Sequence, residues 1–153
     1  MLRPTWHFVT PADIRWMLAL TGPRLNRSHL PYHAQHGLDE KVLKRSRATI
    51  ERALRGGKQL TRAELGAVLG RAGIKVQGHG LAIVMMNAEL DGVVCSGARK
   101  GKQFTYALLE ERAPRAKALT SADFYSRSRM FRLTRPPARA HDMGRNPLKA
   151  KLR

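Results

Sequence analysis

Capping and stop signals divide the middle of the chain into short elements, and this division constrains the fold more than any other feature of the sequence. From Asp39, apolar residues recur at the spacing of one helix face, and the pair Gly56–Gly57 ends this pattern. The sequence Thr61-x-x-Glu64 is a capping box, in which each of the two side chains can satisfy the backbone N–H of the other residue. A second, short helix is therefore predicted to begin here and to end near Ala72–Gly73.

The next segment is predominantly apolar and predicts one more helix followed by a hairpin. Ile74 and Val76 predict a brief extended segment, and residues 77–91 carry the apolar residues of a third helix. Residues 93–96 and 104–108 predict two paired strands, joined by a basic loop bounded by glycines. The predicted fold class is mainly α with a small β-hairpin, in the element order of a winged helix-turn-helix.

The regions on either side of this segment differ from it. A helix is predicted over Pro11–Leu20, with Gly22–Pro23 as its end. The His-rich stretch that follows is predicted to hold only a short or broken helix, because Pro31 interrupts it. The domains are predicted as a partial helical segment of a preceding module at 1–37, a winged-helix domain at 38–115 and a basic, disordered tail at 116–153.

The charge balance narrows the choice of partner. The chain has 29 Lys and Arg against 11 Asp and Glu, a formal net charge of +18, which favours a polyanion. Its 153 residues exclude a large multidomain enzyme. The single cysteine, Cys95, excludes an internal disulfide, and its apolar strand favours a place in the core. The longest apolar run, Leu81–Met86, is too short to cross a membrane, so we expect a cytoplasmic protein with no membrane partner.

The winged-helix order suggests how the chain could contact double-stranded DNA. In such modules the second helix of the motif presents its N-terminal residues to base edges, and a basic wing can reach phosphates. That helix has no Arg or Lys, and only Gln77, His79 and Asn87 are neutral residues that could read bases. Contact mainly through backbone phosphates is therefore predicted. The candidate DNA-binding residues are Lys58, Arg62, Gln77, His79, Arg99, Lys100 and Lys102.

Two other kinds of site are considered and not predicted. His29, His33 and His36 have the spacing of metal ligands on a helix, but Pro31 breaks that face, so no metal is expected. Gly97–Lys102 lacks the spacing of a phosphate-binding loop, so no nucleotide or other small-molecule cofactor is expected.

Several ordered segments carry a family resemblance over roughly residues 2–115. They include Arg3-Pro4-Thr5-Trp6-His7-Phe8-Val9, Asp13-Ile14-Arg15-Trp16-Met17-Leu18, Leu60-Thr61-Arg62-Ala63-Glu64-Leu65, Ala88-Glu89-Leu90-Asp91-Gly92 and Gly101-Lys102-Gln103-Phe104-Thr105-Tyr106-Ala107-Leu108-Leu109. Together they resemble the winged helix DNA-binding domain-containing proteins, which are relatives of the AlkZ-like DNA glycosylases. The resemblance implies tandem winged-helix modules that bind duplex DNA, with some members excising alkylated or crosslinked bases. It also implies association with the bacterial nucleoid when DNA is bound.

The chain departs from the family at both ends. Family members begin earlier, and the glutamine-rich motif tied to their chemistry lies in that earlier region, whereas this chain contains no Gln-x-Gln. No catalytic residue is carried over, and residues 127–153 do not match the family pattern. The chain is therefore expected to be a truncated, DNA-binding member without the catalytic region. Two alternatives stay open: a DNA-repair glycosylase whose remaining parts are supplied elsewhere, and a protein-interaction scaffold.

Overall fold

Helices make up most of the structure, a computed structural model that describes residues 9–116. Its elements are α1 (Ile14–Gln35), α2 (Glu40–Leu54), β1 (Leu60–Thr61), α3 (Arg62–Arg71), α4 (Gly78–Leu90), β2 (Val94–Ser96), β3 (Thr105–Leu108) and α5 (Leu109–Arg112). The predicted mainly helical fold with a small β-hairpin is confirmed. No helix in the described range is long and apolar enough to span a membrane. The predicted tail lies outside the described residues.

The predicted stop after α2 and the predicted capping box of α3 are confirmed, and the structure adds an N-cap at Asp39. The Asp39 carboxylate accepts a hydrogen bond of 2.7 Å from the backbone N–H of Val42. At the start of α3, the Thr61 hydroxyl accepts from the Glu64 N–H, and the Glu64 carboxylate accepts from the Thr61 N–H at 2.7 Å. The Gly56–Gly57 pair follows α2 with φ of 79° and 74°, where other residues are strained. Local capping chemistry therefore sets the ends of both helices.

The predicted end of the first helix at Gly22–Pro23 is wrong, and so is the broken helix predicted after it. α1 continues through Pro23 and Pro31. Both prolines are exposed, so water can bond the carbonyl groups that lose a helical N–H partner. Gly22 is buried where α1 packs against α4, and a Cβ there would lie 2.7 Å from the Leu90 carbonyl oxygen. Tertiary contact therefore stabilises a helix that the local sequence disfavours.

Polar side chains join α1 to the helices beside it. Asn26 Nδ2 on α1 donates to Asp91 Oδ1 at 2.7 Å. Arg47 on α2 donates to Asn87 Oδ1 at 2.8 Å and also pairs with Asp91. A further ion pair of 2.7 Å joins Arg47 to Glu40 at the start of α2. Gly22 and His33 are the two buried residues of α1, and Asn26 also bonds Asn87 of α4.

The sheet is antiparallel, with β3 between β1 and β2. β3 pairs with β1 through Leu60 and Tyr106, and with β2 through Ser96 and Tyr106. The strand β1 is missing from the predicted order, which has only two strands. Residues 74–76, predicted as a brief extended segment, lie outside any helix and form no strand. β1 gives little signal of its own because it is two residues long and Thr61 also caps α3.

The apolar core lies between α2, α3, α4 and the sheet. Its largest fully buried apolar side chains are Ile50, Leu54, Leu65, Leu69, Val84, Met85, Val94 and Leu109. Most residues of α4 are buried, including Leu81 and Leu90 near its two ends. The helix that was considered for base reading is therefore mainly a core helix.

Candidate functional site

The basic loop lies at the exposed tip of a hairpin whose pairing shifts by one residue between Ser96–Tyr106 and Lys100–Gln103. Lys100 and Gln103 exchange two backbone hydrogen bonds of 3.0 and 3.1 Å across the tip. Gly101 has a φ of 60° and occupies the first central position, as in a type II′ turn. Arg99, Lys100 and Lys102 are all exposed. The predicted hairpin is thus confirmed, and its cations face solvent.

The base of the hairpin is fixed by a side chain from outside it. Gln59, just before β1, accepts hydrogen bonds from the Ala98 N–H and, at 3.4 Å, from the Thr105 hydroxyl. Thr105 also donates to the Ala98 carbonyl. A Cβ at Gly97 would overlap the Thr105 hydroxyl and the Gln59 amide oxygen. Glycine at this position therefore lets the Gln59 side chain hold the loop and set its direction.

Lys100 connects the hairpin tip to the start of α3. Its Nζ donates to Glu64 Oε1 at 2.7 Å, with the Lys100 side chain 65% exposed and the Glu64 side chain 38% exposed. The hydrogen bond from Lys100, followed by those from Thr61, lowers the pKa of Glu64 to about 2. The Glu64 carboxylate stays ionised at neutral pH and offsets the charge of Lys100. Of the three tip cations, Lys100 is therefore already paired.

An exposed aromatic ring accompanies the tip, and sequence reasoning missed it as a site residue. Phe104 is 62% exposed, and the guanidinium carbon of Arg99 lies 4.5 Å from its ring centroid. This is the geometry of a cation–π contact. The sequence pattern assigned Phe104 to the strand, whereas β3 begins at Thr105. The only available signal was an aromatic residue directly beside a basic loop.

Strand register brings Arg62 towards the tip and leaves Lys58 away from it. Thr61 pairs with Thr105, so Arg62 follows β1 at the end of the sheet where the hairpin tip lies. Burial, followed by Glu89, raises the pKa of Tyr106, and Arg62 acts to lower it. Lys58 is exposed but precedes β1, at the opposite end.

Gln77 and His79 stand at the N-terminus of α4, as predicted, and both are exposed. Gln77 is the N-cap but makes no side-chain capping bond, and the His79 ring lies 5.2 Å from that of His36. The structure does not show these residues in contact with the hairpin. Asn87 is unavailable to read bases, because it is 3% exposed and bound to Arg47.

A shallow groove of about 470 Å³ runs between α3 and the start of α4. Its lining is Ala63, Gly66, Ala67, Gly70, Ile74, Lys75, Val76, Gln77, Gly78 and Leu81. Small and apolar residues dominate, and Lys75 is the one ionisable side chain among them. The groove therefore has no Asp, Glu or His in its lining that could act as a general acid or base.

The histidines of α1 do not assemble a metal site in the described residues. No group of three or more His, Cys, Asp or Glu side chains is placed to hold an ion anywhere in residues 9–116. His33 is buried, its Nε2 has no hydrogen-bond partner, and its pKa is lowered by burial and then by His29. Cys95 is half-buried in β2, and burial raises the pKa of its thiol. Neither side chain lies at the hairpin tip.

Comparison with known proteins gives one match. The family model described as "DNA glycosylase AlkZ-like" matches residues 1–145. Comparisons with curated proteins and with solved structures give no match. The family match runs past residue 115, where the resemblance noted in the sequence stops, and it includes residues 127–145, which were expected not to match. Both expectations are therefore wrong. The segment after residue 115 is basic and contains several prolines, so it has few local patterns in which a family resemblance can be recognised.

Proposed function

Because the chain belongs to the AlkZ-like DNA glycosylase family, we propose that it binds duplex DNA, mainly through backbone phosphates, with residues 38–115 as a winged-helix module. The element order α2, β1, α3, α4, β2, β3 supports this proposal, since the hairpin then occupies the place of the wing. The observation that carries it is the hydrogen-bonded hairpin whose exposed tip holds three cations.

The candidate cations differ in how freely each could contact a phosphate. Arg99 and Lys102 carry exposed charges at the tip, and Arg62 stands at the same end of the sheet. Lys100 has to share its charge between Glu64 and a phosphate. Lys58 lies at the far end of β1 and would meet phosphates only if the duplex ran along the whole sheet.

We propose weak discrimination between base sequences. Gln77 and His79 are the exposed polar side chains at the start of α4, and Asn87 is held in the interior. Two neutral side chains, without an arginine fork for guanine, provide few base-specific contacts. Backbone binding of this kind has an affinity that falls steeply with salt.

The proposal is tested by titrating the full chain into a fluorescent duplex at several salt concentrations. We expect log Kd to rise linearly with log salt, and two unrelated duplex sequences to bind with similar affinity. A protein-interaction scaffold would show no binding to duplex DNA at low salt while its circular dichroism spectrum stays helical. That result would overturn the proposal.

A second candidate function, a DNA glycosylase, is favoured by the family match over residues 1–145. Against it, the chain has no Gln-x-Gln, and the groove on the described part offers no acid–base pair. Single-turnover assays on duplexes that carry one alkylated or crosslinked base separate the two functions. Base release by the purified chain would establish catalysis, and DNA binding without release supports a binding role.

A further inference from the structure

We propose that Phe104 and Arg99 form a stacking platform for a DNA base that has left the duplex stack. The proposal rests on the proposed function, because the hairpin tip must first be close to DNA. The platform would add base stacking to the phosphate contacts. Stacking depends on whether a base is unpaired, whereas the phosphate contacts depend on charge.

The exposure of Phe104 is the first observation. It is 62% exposed, although each residue from Thr105 to Leu109 is buried. The structure describes three other exposed large apolar side chains, Leu20, Leu30 and Tyr32, and all three are on α1. Phe104 is thus the one that stands beside the basic tip.

The contact with Arg99 is the second observation. The guanidinium carbon lies 4.5 Å from the ring centroid, and the ring keeps most of its surface exposed with Arg99 in place. The cation–π contact limits the motion of both side chains in the free protein, so less conformational entropy is lost when a base stacks on them. A planar base can extend this stack, because every base has a π face.

The surrounding charges select a nucleotide among possible ligands. Lys102 lies in the hairpin tip, and the register of β1 against β3 places Arg62 at the same end of the sheet as Phe104. Cations around an exposed aromatic ring match the chemistry of a nucleotide, which combines an aromatic base with phosphate charge. Because unstacking costs least where a base is already unpaired, the platform should favour a bulged base over an intact pair.

The test compares two duplexes that differ only in one bulged 2-aminopurine, with the full chain and its Phe104→Ala variant. We expect the substitution to raise Kd for the bulged duplex about tenfold, the size of a typical loss of one stacked base, and to change Kd for the intact duplex less than twofold. The wild-type chain should also quench 2-aminopurine fluorescence, and the variant should not.

Two further variants serve as controls. Phe104→Trp keeps an aromatic face and should retain the preference for the bulge. Leu30→Ala removes a side chain that is 58% exposed on α1 and should leave both Kd values unchanged. Circular dichroism checks that each variant keeps its helices.

Three results would overturn the proposal. The wild-type chain could bind both duplexes with equal affinity, Phe104→Ala could weaken both equally, or the fluorescence could stay unchanged on binding. Each of these leaves the proposed binding of duplex DNA intact. Failure to bind either duplex at low salt would instead contradict the proposed function itself.

Discussion

Removing cations from the hairpin tip should flatten the salt dependence of DNA binding by an amount set by the ion pairs at the tip. Each phosphate that a cation neutralises contributes about 0.9 to the slope of log affinity against log salt, so three free cations would contribute about 2.7. Lys100 is paired with Glu64 at 2.7 Å, whereas Arg99 rests on an uncharged ring. We therefore predict a loss of about 1.8 for the Arg99→Ala, Lys102→Ala double variant and a clearly smaller loss than 0.9 for Lys100→Ala.

The assay is fluorescence anisotropy of a short duplex at five or more salt concentrations. The matched control is Arg24→Ala with Arg27→Ala, which removes the same charge from exposed positions on α1. α1 packs beside Leu90, and Leu90 leads into β2 at the end of the sheet opposite the tip. An unchanged slope in the tip variant, or an equal loss in the control, would refute the assignment of the hairpin as the phosphate contact.

Three further predictions concern stability and can be checked by urea denaturation. Gly97→Ala forces a Cβ against Thr105 and Gln59 and should lower the free energy of unfolding by about 1–3 kcal/mol, while Gly70→Ala, with open space around it, should not. Thr61→Ala removes the hydroxyl of the capping box and should cost about 1 kcal/mol. Because the folded state lowers the pKa of Glu64 from 4.5 to about 2, its stabilising contribution is present above pH 4.5 and is lost as the pH falls towards 2. Glu64→Gln should make stability less dependent on pH in that window, and an identical pH dependence would contradict the prediction.

Sequence patterns predicted a structural element correctly where that element depends only on its own residues. Thr61 caps α3 as the sequence predicts, because a cap is a contact between residues three positions apart. The hairpin follows the same logic, since strand preference and a glycine at the turn are both local. These features set where the helices begin and end and where the hairpin turns.

Other features depend on residues that are distant in the sequence, and the sequence did not reveal them. The continuity of α1 through Pro23 depends on packing of Gly22 against Leu90. The pairing of Lys100 with Glu64 arises only when the hairpin folds back onto α3. In the same way, β1 is recognisable only once β3 lies beside it, because two residues have no periodicity.

The side-chain roles at the candidate site show the same limit. Asn87 has the chemistry to read a base, yet the fold places it in the interior against Arg47. Phe104 has the composition of a strand residue, yet it remains in solvent because the strand and the core both begin at Thr105. Exposure depends on the whole fold and cannot be read from the residue type.

The most direct test of DNA contact at the hairpin is an NMR titration of the ¹⁵N-labelled full chain with a short duplex. The account predicts that the backbone amide shifts concentrate in residues 97–104 and at Arg62, with smaller changes at Gln77 and His79. Shifts that concentrate on α1 and leave the tip amides in place would contradict it.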